Sequence, residues 1–254
     1  MNPAIAFEQV GKTHDGAVGL QGVDLSIPKG QFVALVGGSG AGKTTLLKTI
    51  NALSPPTTGV VRIDGTAVNA LDGPVLRRRI GYVFQEIGLF PHMTVAENIG
   101  VVPALLGWAR DEIAARVDEL LDLVDLPRAV AERRPSALSG GQRQRVGVAR
   151  ALAGRPSILL MDEPFGALDP ITRQALGDDV RRLHQALSLT TVMVTHDVAE
   201  ALLLADRIVV LDQGRIIADA APRDLMAGGD DPRVEALMAA TRRQAERVRA
   251  LLDG

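Results

Sequence analysis

Cysteine is absent from the 254-residue chain, which excludes a disulfide framework and any thiolate metal site. Aromatic residues are scarce, with one Trp, one Tyr and five Phe, so each becomes a candidate for a specific role. No apolar run approaches the roughly 18 residues that would cross a bilayer. The longest stretch of that kind, Ile99 to Ala109, is interrupted by Pro103. Basic charge is not in excess either. Lys and Arg total 28 against 30 for Asp and Glu, a net charge of −2, so nucleic acid is not the default partner. Met1 to Val10 lacks a basic segment followed by an apolar one, so no signal peptide is expected there. What is present is 46% hydrophobic and 23% charged residues, enough to bury a core as one large domain or two modest ones. A soluble globular protein of a reducing compartment is the expectation.

Short apolar runs alternate with helical patterns. Phe32–Val36, Ile158–Met161, Thr191–Val194 and Ile208–Leu211 are continuous apolar segments, as in a mostly parallel sheet covered on both faces. Ile5–Phe7, Val23–Ile27 and Val60–Ile63 resemble half-exposed strands and suggest an antiparallel layer beside it. From about Thr94 to Pro135 the pattern is helical and charged, with no strand candidate after Val102, which suggests a helical insertion. Leu176, Val180, Leu183 and Leu187 form one stripe of a helix from Pro170 to Leu187, with Asp169 as its cap. Gly214 to Asp219 reads as a last strand, and the chain after Pro222 as helix to its end.

The segment Gly37-Gly38-Ser39-Gly40-Ala41-Gly42-Lys43-Thr44 fits G-x-x-x-x-G-K-[ST] between a strand and a helix that opens at Thr44-Thr45. Glycines let backbone N–H groups turn inward around phosphates, and the helix start adds its dipole. Lys43 can reach the β- and γ-phosphates, and the Thr44 hydroxyl can ligate Mg²⁺. The strand Ile158–Met161 runs into Asp162 and Glu163. Asp162 suits a Mg²⁺ held through water, and Glu163 can polarise an attacking water. A strand ending in two solvated acids is the plainer alternative. Leu138-Ser139-Gly140-Gly141-Gln142 opens another helix with a capping box. Its two glycines leave first-turn N–H groups open to an anion.

Together these segments resemble an ATP-binding-cassette ATPase over about residues 4–225. Gly37–Thr44 resembles the Walker A loop, Ile158–Asp162 the Walker B strand, and Leu138–Gln142 the family signature. Gln85 after Gly81–Phe84 matches the Q-loop, Ala167–Asp169 the D-loop, and His196 the switch histidine. The resemblance implies an α/β fold: a P-loop NTPase core with a mostly parallel sheet, an N-terminal antiparallel β layer and an inserted helical subdomain. It places an ATPase domain over residues 1–225, with the helical subdomain at about 89–150, and a helical tail over 226–254.

It further implies ATP and Mg²⁺ as cofactors, with Thr44, Gln85 and, through water, Asp162 as metal ligands. Glu163, His196 and Gln85 would be catalytic, and Gly37 to Thr45 would bind the nucleotide. Two copies would pack head-to-tail, so that Ser139, Gly140, Gly141 and Gln142 of one copy meet the nucleotide of the other. Asp169 would link the two sites. The family places an aromatic residue against adenine; the aligned residue here is His14, read in the loop Gly11–Gly16.

One Walker A, one signature and no membrane segment imply a half-motor, peripheral on the cytoplasmic face of the cell membrane. Its implied partners are a second copy, integral membrane permease subunits and, indirectly, a substrate-binding protein, with no nucleic acid. Phe165–Pro170 is similar to bacterial importer ATPases. Phe84–Ile99 resembles the glycine betaine, choline and osmoprotectant branch. An importer ATPase for another small solute such as amino acids, a non-transport ATPase of the same family and a simple P-loop phosphotransferase are the alternatives. Many relatives in that branch carry a paired CBS module after the core; none is expected here. In the tail, Val234, Met238, Thr241, Ala245, Val248 and Leu252 form one stripe, expected to pack on its own domain or its twin. Trp108 is expected to pack locally.

Overall fold

A computed structural model describes residues 2–14, 17–166, 168–228 and 231–252, without the side chains of residues 14, 244, 245, 248 and 250–252. Ten strands and nine α-helices are assigned among the described residues. The strands are β1 (Ile5–His14), β2 (Ala17–Ile27), β3 (Phe32–Val36), β4 (Thr58–Ile63), β5 (Thr66–Ala67), β6 (Ile80–Val83), β7 (Ile158–Asp162), β8 (Thr190–Val194), β9 (Arg207–Asp212) and β10 (Arg215–Ala220).

They form two sheets. The larger has the order β10-β9-β3-β8-β7-β6, parallel throughout except for the antiparallel edge β10. The smaller is antiparallel, in the order β2-β1-β4-β5. The apolar runs are continuous because the large sheet is covered on both faces. Phe32, Ala34 and Val36 enter one core cluster with the helices, whereas Val33 and Leu35 enter the other with the small sheet. Leu159 and Met161 divide from Ile158 and Leu160 in the same way.

Helix α1 (Lys43–Ile50) leaves the end of β3 and packs Leu46, Leu47 and Ile50 into the cluster between the sheets. Helix α2 (Gly73–Arg78) precedes β6. Between β6 and β7 lie only helices and short 3-10 turns: α3 (Val95–Leu105), α4 (Arg110–Leu123) and α5 (Gly140–Leu152). Pro103 lies inside α3, near its C-terminal end, rather than stopping it. Trp108 follows α3, with the Arg155 guanidinium 5.3 Å from its ring centroid, a local contact. Helix α6 (Pro170–Ala186) follows β7 with Asp169 as its cap, and α7 (Val198–Leu204) follows β8.

Four sequence expectations needed correction. The segment around His14 is strand rather than loop, because β1 and β2 continue their antiparallel pairing to His14 opposite Ala17. The strand β6 was not anticipated; it is four residues long and joins the parallel sheet through β7. The two-residue β5 was also missed. The chain beyond Pro222 is two helices, α8 (Pro222–Ala227) and α9 (Pro232–Leu252), because Gly228 takes a left-handed φ of 111° and ends α8. In α9, Val234 and Met238 are buried in the helical-side cluster, so this half of the stripe packs on the chain's own fold. The side chains of Ala245, Val248 and Leu252 lie outside the described residues.

Candidate functional site

The site gathers at the C-terminal ends of β3, β7 and β8, where the chain leaves the parallel sheet. After β3 the loop turns on Gly37 and enters α1 through Gly42, with left-handed φ values of 148° and 99°. A Cβ at Gly37 would sit 2.1 Å from the Leu211 carbonyl oxygen, and one at Gly42 would sit 2.6 Å from that of Gly19. Only glycine fits both turns. Because Gly42 caps α1 without a side chain, the first N–H groups of the helix stay available to an anion. Gly214 N–H donates to the Ala41 carbonyl, so the β9–β10 turn supports the loop from behind.

Lys43 lies inside this loop. Its ammonium donates to the carbonyls of Gly37 and Gly38, both at 2.9 Å. Burial pushes its pKa down, while Glu163 and Asp162 pull it back up. Phosphate oxygens at this point would hold the charged form further.

Asp162, the last residue of β7, is buried and accepts two hydrogen bonds. Thr44 Oγ1 donates to its Oδ1 at 2.8 Å, and the Tyr82 hydroxyl of β6 donates to its Oδ2 at 3.3 Å. Burial and the Asp162 charge raise the Tyr82 pKa well above its ordinary value, so Tyr82 remains a donor. Sequence reasoning passed over Tyr82. No sequence signal marked it, because only the pairing of β6 with β7 brings it to Asp162.

Glu163 follows at a φ of 46°, a left-handed conformation unusual for a side-chain-bearing residue. Its N–H donates to the Val194 carbonyl at 3.0 Å, which holds it against the end of β8. Gln85 Nε2 donates to Glu163 Oε2 at 3.3 Å, and His196 Nδ1 meets the same oxygen at 3.2 Å. The Glu163 carboxylate accepts in this contact, so Nδ1 is the donor. Strained backbone at such a convergence marks a point that the surrounding structure fixes.

Ser39 to Thr45, Gly19, Glu163 and His196 line one cleft of about 380 Å³. The sequence-expected loop, acid and histidine therefore meet. Asp162 and Gln85 adjoin them through the bonds just described, and Gly37 and Gly38 underlie Lys43. Thr44, Asp162 and Gln85 supply oxygen donors of the hard kind that suits Mg²⁺. Three donors without a dedicated carboxylate cage match an ion that shares its shell with phosphates and water.

Ser139, Gly140, Gly141 and Gln142 do not line this cleft. They open α5, where Ser139 Oγ accepts from Gln142 N–H at 3.2 Å and Gln142 Oε1 accepts from Ser139 N–H at 3.0 Å. A Cβ at Gly141 would lie 2.6 Å from Thr172 Cγ2. Asp169 also lies outside the cleft. It accepts from Thr172 N–H at 3.1 Å, and the bonds to Thr172 lower its pKa. The His14 side chain and Ala167 fall outside the described residues.

Comparison with known proteins gives a consistent picture. A family profile described as ABC transporter matches residues 20–166. The chain is 49% identical over 223 residues to the glycine betaine/carnitine/choline transport ATP-binding protein OpuCA of Bacillus subtilis (strain 168), covering 87% of this chain and 59% of that protein. It is 50% identical over 216 residues to the sulfate/thiosulfate import ATP-binding protein CysA of Caulobacter vibrioides, covering 84% and 63%. The chain thus spans about three-fifths of the length of these curated relatives. Among solved structures, the dimeric structure of MJ0796, a bacterial ABC transporter cassette, superposes with a TM-score of 0.78 at 36% identity, covering 86% of this chain and 99% of that one.

Proposed function

The chain belongs to the ABC transporter family, and from that premise we propose that it is the ATP-hydrolysing subunit of an importer for quaternary-amine osmoprotectants of the glycine betaine, choline and carnitine class. The observation that carries the ATPase reading is the convergence of Gln85 and His196 on one oxygen of Glu163, beside the phosphate loop. In this reading the loop N–H groups and Lys43 hold the β- and γ-phosphates. Glu163 accepts a proton from water as that water attacks the γ-phosphorus and the bond to ADP breaks, releasing phosphate. His196 holds the γ-phosphate by donating a ring N–H to one of its oxygens, in place of its contact with Glu163, and Gln85 fixes the Glu163 carboxylate. Thr44, Asp162 through water and Gln85 would hold Mg²⁺, which when bound offsets charge on the phosphates.

The signature helix stands outside the cleft, which supports a head-to-tail dimer in which Ser139 to Gln142 serve the nucleotide of the second copy. The dimeric structure of MJ0796 supports the pairing of two copies. No helix among the described residues is long and apolar enough to cross a membrane. In this reading the translocation path is formed by separate permease subunits, with this chain peripheral on their cytoplasmic side and a substrate-binding protein delivering solute. The ATPase core is residues 1–225, with the helical subdomain within it and α9 beyond it. Stacking of His14 on adenine is part of the proposal. His14→Tyr should lower the ATP dissociation constant by about threefold to tenfold, a fraction of ordinary base stacking, and an unchanged constant would remove His14 from the site.

The similarity to OpuCA supports the osmoprotectant class. The CysA relative, at equal identity, favours a second reading in which this cassette drives import of an inorganic oxyanion. Reconstitution with the co-purifying permease and binding protein separates them. ATP turnover stimulated by choline or glycine betaine supports the first reading, and stimulation by sulfate supports the second.

A further inference from the structure

Arg150, near the end of α5, is buried, and among the described residues no ion pair joins it. Its guanidinium instead grips the backbone of the loop that follows Gln85. Nη1 donates to the Gly88 carbonyl at 2.6 Å and Nη2 to the Ile87 carbonyl at 2.7 Å. The Phe90 ring centroid lies 6.0 Å from its Cζ. A buried charge whose hydrogen bonds go to two carbonyls is a costly arrangement, and removing those carbonyls would leave its N–H groups unpaired.

The loop itself is strained. Ile87 and Gly88 both take left-handed φ values, 46° and 59°. For a β-branched residue such as Ile87 that conformation persists only if the surroundings impose it. The surface of α5 is shaped to receive it. Gly147, one turn before Arg150, is buried in the helix interior, where glycine is destabilising relative to alanine. A Cβ there would come within 3.1 Å of Ile87 Cγ2. The absence of a side chain at Gly147 and the grip of Arg150 thus serve the same close approach.

We propose that Arg150 is a positioning residue that latches the loop after Gln85 onto α5. Gln85, two residues before the latched turn, reaches Glu163, while Ser139 caps the far end of the same helix. Eleven residues separate Ser139 from Arg150, about 17 Å along the helix. Phe84 and Phe90 flank the latched turn and are 44% and 41% exposed. Through the latch, the Gln85–Glu163 contact and the Ser139 end of α5 move as one piece. This inference rests on the reading of Gln85 and Glu163 given above.

The test compares the full chain with Arg150→Met and Arg150→Lys. Hydrogen exchange without nucleotide is measured first. In Arg150→Met the amides of residues 86–90 should exchange about tenfold faster, as expected for loss of an ordinary charge-assisted bond, with the amides of α5 unchanged. Arg150→Lys, which keeps one contact, should fall between, and it carries the same comparison if the Met variant does not fold. Steady-state turnover follows. kcat should fall about tenfold with KM for ATP unchanged, by the same estimate. The Gln85→Ala/Arg150→Met double variant should be no slower than Gln85→Ala alone. Unchanged exchange at residues 86–90, or full multiplication of the two kinetic defects, overturns the latch. If the parent chain fails to hydrolyse ATP, the functional reading falls while the exchange comparison still decides the latch.

Discussion

Thr44 donates its hydroxyl proton to Asp162 across the mouth of the phosphate loop, at 2.8 Å. One residue lies in the first turn of α1 and the other ends β7, so the bond ties the nucleotide loop to the strand end where the two acids sit. The same two groups are the proposed holders of Mg²⁺, and the metal would take the Thr44 oxygen when nucleotide binds. Thr44→Ala should therefore weaken binding of Mg·ATP by about tenfold or more, the range for a bond involving a charged group. Affinity for ATP measured in EDTA should change little, because the loop N–H groups and Lys43 are untouched. Calorimetric titration with and without Mg²⁺ checks this. An equal loss in both would make Thr44 a support for the loop and not a metal ligand.

Glu163→Gln keeps the shape of the site and a carbonyl oxygen for the two donors that meet there. It removes the acceptor for the proton of water. Turnover should fall by about 10²–10⁴-fold, the usual contribution of a general base. Binding of Mg·ATP should persist, and the unhydrolysed nucleotide should hold two copies together by mass action. Size-exclusion chromatography with Mg·ATP should show a dimer. A monomer that hydrolyses ATP at the parent rate would remove Glu163 from its role.

The chemistry of the loop was legible because backbone geometry demands particular residues there. Gly37 and Gly42 sit where a Cβ would strike a carbonyl oxygen, so their spacing is written into the sequence. The apolar runs of β3, β7 and β8 were equally readable, since burial on two faces favours apolar residues at successive positions. Tyr82 was not readable, because its partner Asp162 is 80 residues away and only the pairing of β6 with β7 joins them. Arg150 was hidden for the same reason. A helical arginine reads as a solvated charge until the Ile87 and Gly88 carbonyls are seen to enclose it. The strand at His14 was missed because Gly11, Asp15 and Gly16 read as turn residues in sequence, whereas pairing with β2 carries the strand to His14.

A divided site makes a prediction that neither copy can satisfy alone. Ser139→Arg should block the signature end of α5, and Lys43→Ala should disable the phosphate loop. Each variant by itself should have little activity. When the two are mixed, a heterodimer holds one site with both defects and one with neither. Recovery of up to about one quarter of the parent rate is expected if exchange is random and sites act independently, an arithmetic consequence of two-fold symmetry. Native mass spectrometry establishes whether heterodimers form. Heterodimers without recovered turnover would argue that both phosphate loops must be intact or that Ser139 acts within its own chain.

His184 supplies a pH dependence of stability remote from the cleft. It is buried on α6, with Nδ1 2.9 Å from Thr191 Oγ1 and its ring 5.2 Å from that of Phe32. Burial lowers its pKa, the Arg181 charge lowers it further, and Asp206, which pairs with Arg181, pulls the other way. The folded chain therefore binds this proton less readily than the unfolded chain. Between the ordinary histidine value near 6.5 and the lowered one, the unfolded state holds more protons, so stability falls as pH falls through that window. Above 6.5 both states are neutral at this position and the contribution is flat. His184→Gln retains a polar contact to Thr191 and cannot titrate. Urea unfolding midpoints taken from pH 7.5 down to about 5.5, spanning the ordinary histidine range, should show a shallower acid slope for the variant than for the parent. Parallel slopes in the two proteins would assign the acid sensitivity to other groups and leave His184 as a packing residue.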